Sequence, residues 1–181
     1  MISRTEALAL IDENITNRNL VKHMLAVEVV MKALSRRLGE DEELWGLTGL
    51  LHDLDYASTA ENPSRHGFVS CEMLEGRLPG EALHAILSHP EQVAPQSRFD
   101  WALYCADPVT GLIVAAALMH PAKNLASLDL QFLQKRFKER RFAAGANREQ
   151  MLKCSELGFS LDEFLNLALN AMKETASDLD L

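Results

Sequence analysis

Gly49-Leu-Leu-His52-Asp53-Leu-Asp55-Tyr56 is the stretch that decides how this chain reads. Leu44, Leu47, Leu50 and Leu51 recur at helical spacing, so an apolar helix face runs straight into an imidazole and a carboxylate. Removing such groups from water is costly unless they find hydrogen bonds or a cation. Imidazole with carboxylate suits Fe, Mn, Zn and related ions and does not suit Ca.

Other residues outward from this point have the same character. His23 lies beside the apolar stripe Leu20, Met24, Val27, Met31, Leu34 and Leu38. Asp107 interrupts the apolar run Ala102 to Leu112. His66 precedes Gly67, and His89 precedes Pro90. Each has a plainer reading when taken singly. A lone buried histidine is usually a hydrogen-bonded core residue, and Asp107 before Pro108 is a good N-cap. His66 also suits a helix start near solvent, and His89 a pre-proline loop. Asp55 fits equally a general base, a residue that orients water, or a loop cap. His84 reads as a surface residue and His120 as a helix end.

The framework around these residues is helical throughout. Ser3 with Glu6, and Ser160 with Glu163, form capping boxes. Helices are expected from Ser3 to about Ile15, Arg18 to Leu38, Glu42 to Asp53 and Arg65 to Gly76. A short helix follows Pro79-Gly80, and a long one runs from Ser97 to about Met119, kinked or divided at Pro108. Asp129 caps Leu130 to Phe142, Asn147 caps a helix ending at Gly158, and a last helix closes near Ala176. No strand-like alternation occurs. The expected architecture is all-α: one domain over 1–181, with a core of about 18–120 and a helical extension over about 128–178.

Composition narrows the function. With 181 residues and 48% hydrophobic content, the chain can bury a substantial core. Aromatics at 6% argue against a base-stacking platform. The 18 basic and 26 acidic residues give a net charge of -8, which argues against a nucleic-acid grip and leaves small anionic substrates open. Cys71, Cys105 and Cys154 form no CxxC, which fits a reduced, cytoplasmic setting. The first residues lack a signal-peptide core, and the longest apolar run, Leu112 to Met119, is too short to span a bilayer. No membrane partner is expected.

The order of the polar residues is more specific than any one of them. His23 on an early helix, His52-Asp53 at the end of the next and Asp107 on a later long helix resemble the H…HD…D ligand set of the HD superfamily. The resemblance covers roughly residues 20–120. It implies an HD-domain helical bundle binding a divalent metal. His66 and His89 resemble the two further histidines with which some members hold a second ion. These members include dinucleoside-tetraphosphate hydrolases, HD-GYP phosphodiesterases and di-iron oxygenases. By that resemblance Asp53 bridges two ions. His23, His52 and Asp107 complete one site, and His66 and His89 the other. Alternatively, the last two histidines contact phosphate in a one-metal enzyme. The GYP signature is absent. His52-Asp53-Leu-Asp55-Tyr56, Asp107-Pro-x-Thr-Gly and Lys135-Arg136-Phe-Lys138 resemble small HD hydrolases without an assigned substrate.

The implied activity is that of a metal-dependent phosphohydrolase or phosphodiesterase acting on a small phosphoester or nucleotide. Fe or Mn is expected, with Zn, Ni, Co or Mg as alternatives. The catalytic candidates are Asp53 and Asp55, and the candidate substrate contacts are Arg65, Lys123, Lys135 and Lys138. The same ligand set also suits a di-iron oxygenase, and a non-catalytic nucleotide-binding HD module is a third reading.

Overall fold

A computed structural model describes residues 1–181. It is all-α, with ten α-helices, two 3-10 segments and no strand. The order is α1 (Arg4–Asn14), α2 (Arg18–Leu38), α3 (Glu42–Leu51), α4 (Phe68–Leu74), α5 (Gly80–Ser88), α6 (Arg98–Met119), α7 (Leu130–Lys138), α8 (Arg148–Leu152), α9 (Leu161–Glu174) and α10 (Ala176–Leu179).

Local chemistry explains most of the boundaries. Ser3, Ser97 and Ser160 each close a capping box with the acid three residues on. Asn17, Asp41, Asp129 and Asn147 cap α2, α3, α7 and α8 with their side-chain oxygens. Gly39 ends α2 in the left-handed conformation.

α2 and α6 form the centre of the bundle. α3, α6 and α9 pack on α2, while α5, α7 and α8 pack on α6. The apolar core is one contiguous cluster. It joins Met24, Val27 and Met31 of α2 to Leu103, Leu112 and Ile113 of α6, and to Phe164 and Leu169 of α9. Each fully buried side chain of this size contributes about 1.5–3 kcal/mol. α3 approaches α2 closely at Gly49, where a Cβ would stand 3.0 Å from the Val27 carbonyl oxygen and 2.9 Å from Met31 Cγ. Glu28 is buried between α1 and α2 and accepts from Arg4 at 2.7 and 2.9 Å and from Lys32 at 2.6 Å.

The structure corrects several expectations. α3 ends at Leu51, two residues early, with His52 as its C-cap. Pro63–Arg65 forms a 3-10 turn, and α4 begins only at Phe68. α6 is one helix of 22 residues with Pro108 inside it, not divided. α7 stops at Lys138 rather than Phe142. α6 as a whole is also long and apolar enough to cross a membrane by length and composition, unlike the short run at its end, but 61% of that stretch is buried within the protein.

Candidate metal centre

Six residues expected to ligate meet at one end of the bundle. His23 comes from α2, and His52 and Asp53 from the turn after α3. His66 follows the 3-10 turn, His89 caps the C-terminus of α5, and Asp107 lies on α6. The chain folds around Asp53. Its Oδ2 lies 3.5 Å from both His23 Nε2 and His52 Nε2. Its Oδ1 lies 3.3 Å from His66 Nε2 and 3.4 Å from His89 Nε2. Asp107 Oδ1 closes the first side, 3.1 Å from His23 Nε2 and 3.9 Å from His52 Nε2.

In every histidine the other ring nitrogen is anchored. His52 Nδ1 donates to the Gly49 carbonyl at 2.8 Å, and His89 Nδ1 to the Ile86 carbonyl at 2.6 Å. Thr110 Oγ1 donates to the Asp107 carbonyl, so it accepts from His23 Nδ1, 3.1 Å away. His66 Nδ1 donates to Asp55 Oδ1 at 2.8 Å. Donation from Nδ1 aims each Nε2 at the cluster, which is how protein matrices orient metal-bound imidazoles.

The donor set fits a divalent cation. His52 Nε2 and His89 Nε2 are buried and have no hydrogen-bond partner, an arrangement that is costly without a ligand for them. The ligating atoms of His23, His52 and Asp107 lie within 4.8 Å of one another, as do those of His52, Asp53 and His89. Burial pulls the His52 imidazole down to about 4, so it is neutral at pH 7. Burial works to raise Asp53, but the facing imidazoles hold it well below the usual carboxylate range. His66 is raised to about 9, because Asp53 and Asp55 outweigh its burial.

Asp55 has a different setting from that of a free base. Its Oδ1 holds His66, and its Oδ2 accepts from the backbone of Gly67 at 2.8 Å and of Ser70 at 2.9 Å. The carboxylate is fully buried and caps the start of α4 from across the loop. Gly67 permits this approach. It has φ 84, and a Cβ there would lie 3.1 Å from the Ile86 carbonyl oxygen.

Two cavities border the cluster. One, of about 340 Å³, lies between His23, Asp107, Pro108 and Gly111 on one side and Ala143, Gly145 and Ala146 on the other. The second, of about 230 Å³, is lined by Tyr56, Thr59, Ala60, Pro63 and His66. None of the four expected substrate contacts lines either. Arg65 is paired with Glu72 at 2.7 Å, while Lys123, Lys135 and Lys138 are exposed elsewhere. The wall at 143–146 was not foreseen, because alanine and glycine carry no chemical signal in sequence. His84 is more than a surface residue, since its Nδ1 lies 3.0 Å from the buried Asp100. His120 does cap the end of α6.

An all-helical bundle that converges four histidines and two aspartates on a buried point defines a metal-site protein. The family comparison agrees: the HD domain matches residues 20–117, and the chain belongs to that family of metal-dependent hydrolases. Among curated proteins, Ribonuclease Y of Thermoanaerobacter pseudethanolicus is 25% identical over 167 residues, covering 90% of this chain and 33% of that protein. Ribonuclease Y of Oleidesulfovibrio alaskensis is 28% identical over 98 residues, covering 52% of this chain and 18% of that one. Ribonuclease Y of Acholeplasma laidlawii is 29% identical over 94 residues, covering 51% and 18%. The chain thus spans a third or less of the length of these relatives. No solved structure matches it.

Proposed function

We propose that the protein is a phosphohydrolase that holds two divalent ions, Fe or Mn, on opposite sides of Asp53. The supporting observation is the division of labour at that carboxylate, whose Oδ2 faces His23 and His52 while Oδ1 faces His66 and His89. His23, His52, Asp107 and Asp53 would hold one ion, and His66, His89 and Asp53 the other. When bound there, divalent ions would supply Lewis-acid charge for the phosphoryl oxygens and make a water more acidic. The protein's own contribution is orientation. The Nδ1 anchors fix every imidazole, and Asp55 acts as a positioning residue for His66. The small side chains opposite His23 and Asp107 leave room for the reacting phosphoester.

The substrate class is a phosphoester. The acidic composition argues against nucleic acid, whereas the relatives are named ribonucleases, so RNA belongs among the substrates to be tried. Three unpaired cysteines favour a reducing, cytoplasmic compartment. The test is hydrolysis of p-nitrophenyl phosphate, its bis-ester and short RNA by protein loaded with Mn or Fe. His52→Ala and Asp53→Ala should each abolish turnover. Full activity in both variants contradicts the proposal. Oxygen consumption by the iron form without phosphoester turnover would favour the oxygenase reading.

A further inference from the structure

The acidic chain places one cation beside the open side of the cluster. The cavity between His23, Asp107 and the 143–146 wall shares Gly145 and Ala146 with a second cavity of about 400 Å³. Three charged side chains line that second space, the acid Glu149 and two bases, Arg140 and Arg148. The two bases are not equivalent. Arg148 is used up internally: its guanidinium donates to the carbonyls of Ala143 at 2.7 Å and Ala146 at 2.6 Å, to that of Phe142, and more distantly to that of Phe137 at 3.4 Å. A fork that collects carbonyls at 137, 142, 143 and 146 fixes the path of the loop and leaves little donor capacity for a ligand. Arg140 is exposed, with no carboxylate within ion-pairing distance, whereas its neighbour Arg136 is tied to Glu139 at 2.6 Å.

We propose that Arg140 forms a second anion subsite, so that the substrate carries a further phosphate beyond the one that reacts. This rests on the phosphohydrolase reading above. The ligand would lie over Gly145 and Ala146, the two residues that both cavities share, with its reacting phosphoester at the His23 and Asp107 end. Planar guanidinium suits bidentate capture of phosphate, and it also offsets the repulsion that a polyanion meets near Asp107. Arg148 is the positioning residue that holds the loop carrying this subsite. Lys135 and Lys138 lie on α7 away from the two cavities, and Arg140 stands just beyond the end of that helix.

The test is equilibrium dialysis of manganese-loaded full-length protein against thymidine 5′-phosphate, thymidine 3′,5′-bisphosphate and the dinucleotide pTpT. The wild type should bind the bisphosphate or pTpT about tenfold or more tightly than the monophosphate, the scale of one hydrogen bond to a charged group. The preferred probe separates a compact bisphosphate from a phosphodiester chain. Arg140→Gln should remove the preference, and raising salt should shrink it in the wild type. Arg148→Lys should also remove it, with faster amide exchange at 142–147, a readout that Arg140→Gln does not move. Equal affinity of the wild type for all three probes overturns the subsite, as does a preference that persists in Arg140→Gln or an equal loss for every probe in that variant. Turnover of p-nitrophenyl phosphate in the same preparations tests the hydrolase reading separately.

Discussion

His66 Nδ1 lies 2.8 Å from Asp55 Oδ1, and this contact determines which nitrogen of His66 faces Asp53. Asp55→Asn keeps an oxygen for the Gly67 and Ser70 amides but presents N–H to the imidazole. The ring would then protonate at Nε2 and lose its ligating lone pair. The expected outcome is a 10–100-fold weaker second ion, the range for lost outer-shell partners, with the first ion retained. Elemental analysis during chelator titration checks it. Unchanged affinity for both ions would show that Asp55 does not set the ring.

The two sides of Asp53 should empty independently. Asp107→Ala removes a carboxylate from the His23 side alone and should lower the metal content by one ion. His89→Ala should do the same on the other side, and Asp53→Ala should remove both ions. Inductively coupled plasma measurement of each variant tests the assignment.

Gly49 couples packing to ligation, since its carbonyl anchors His52 while its Cα faces α2. Gly49→Ala gains up to about 1 kcal/mol of helix propensity. The new Cβ would sit 3.0 Å from the Val27 carbonyl oxygen, which is backbone and cannot swing aside. Overpacking of about 1–3 kcal/mol should win, lowering Tm and weakening the ion at His52. A rise in Tm would overturn this.

Glu28 should govern acid stability. Burial tends to raise its pKa, but Arg4 and Lys32 hold it below the ordinary glutamate range. A depressed folded pKa gives a contribution that is full above the unfolded value near 4.5 and is lost as pH falls through the lower folded value. Glu28→Ala should cost about 1–3 kcal/mol at pH 7, the scale of its charge-assisted hydrogen bonds, since Arg4 and Lys32 are partly exposed and can turn to solvent, and it should flatten the acid limb. Denaturation at pH 7 and pH 4 measures both.

Much of this fold was legible because the helix caps are written in side chains. Ser3, Asp41, Ser97, Asp129, Asn147 and Ser160 each sit where the helices begin. The misplaced boundaries lie where distant residues intervene. α4 starts late because Asp55, twelve residues before Gly67, caps it through space. The chain after α7 turns away where Arg148 gathers its carbonyls. His23, His52, Asp53 and Asp107 stood out because each lies beside, interrupts or follows an apolar helix face, whereas His66 and His89 stood out by resemblance. The 143–146 wall did not, because small residues look the same in sequence wherever they point.

The most direct measurement is metal stoichiometry on protein purified without chelators or a metal-binding tag, paired with phosphoesterase activity on the same sample. The account predicts two Fe or Mn ions per chain, with activity rising only as the second ion binds. Full activity with one ion, or protein that binds none under saturating metal, would contradict it.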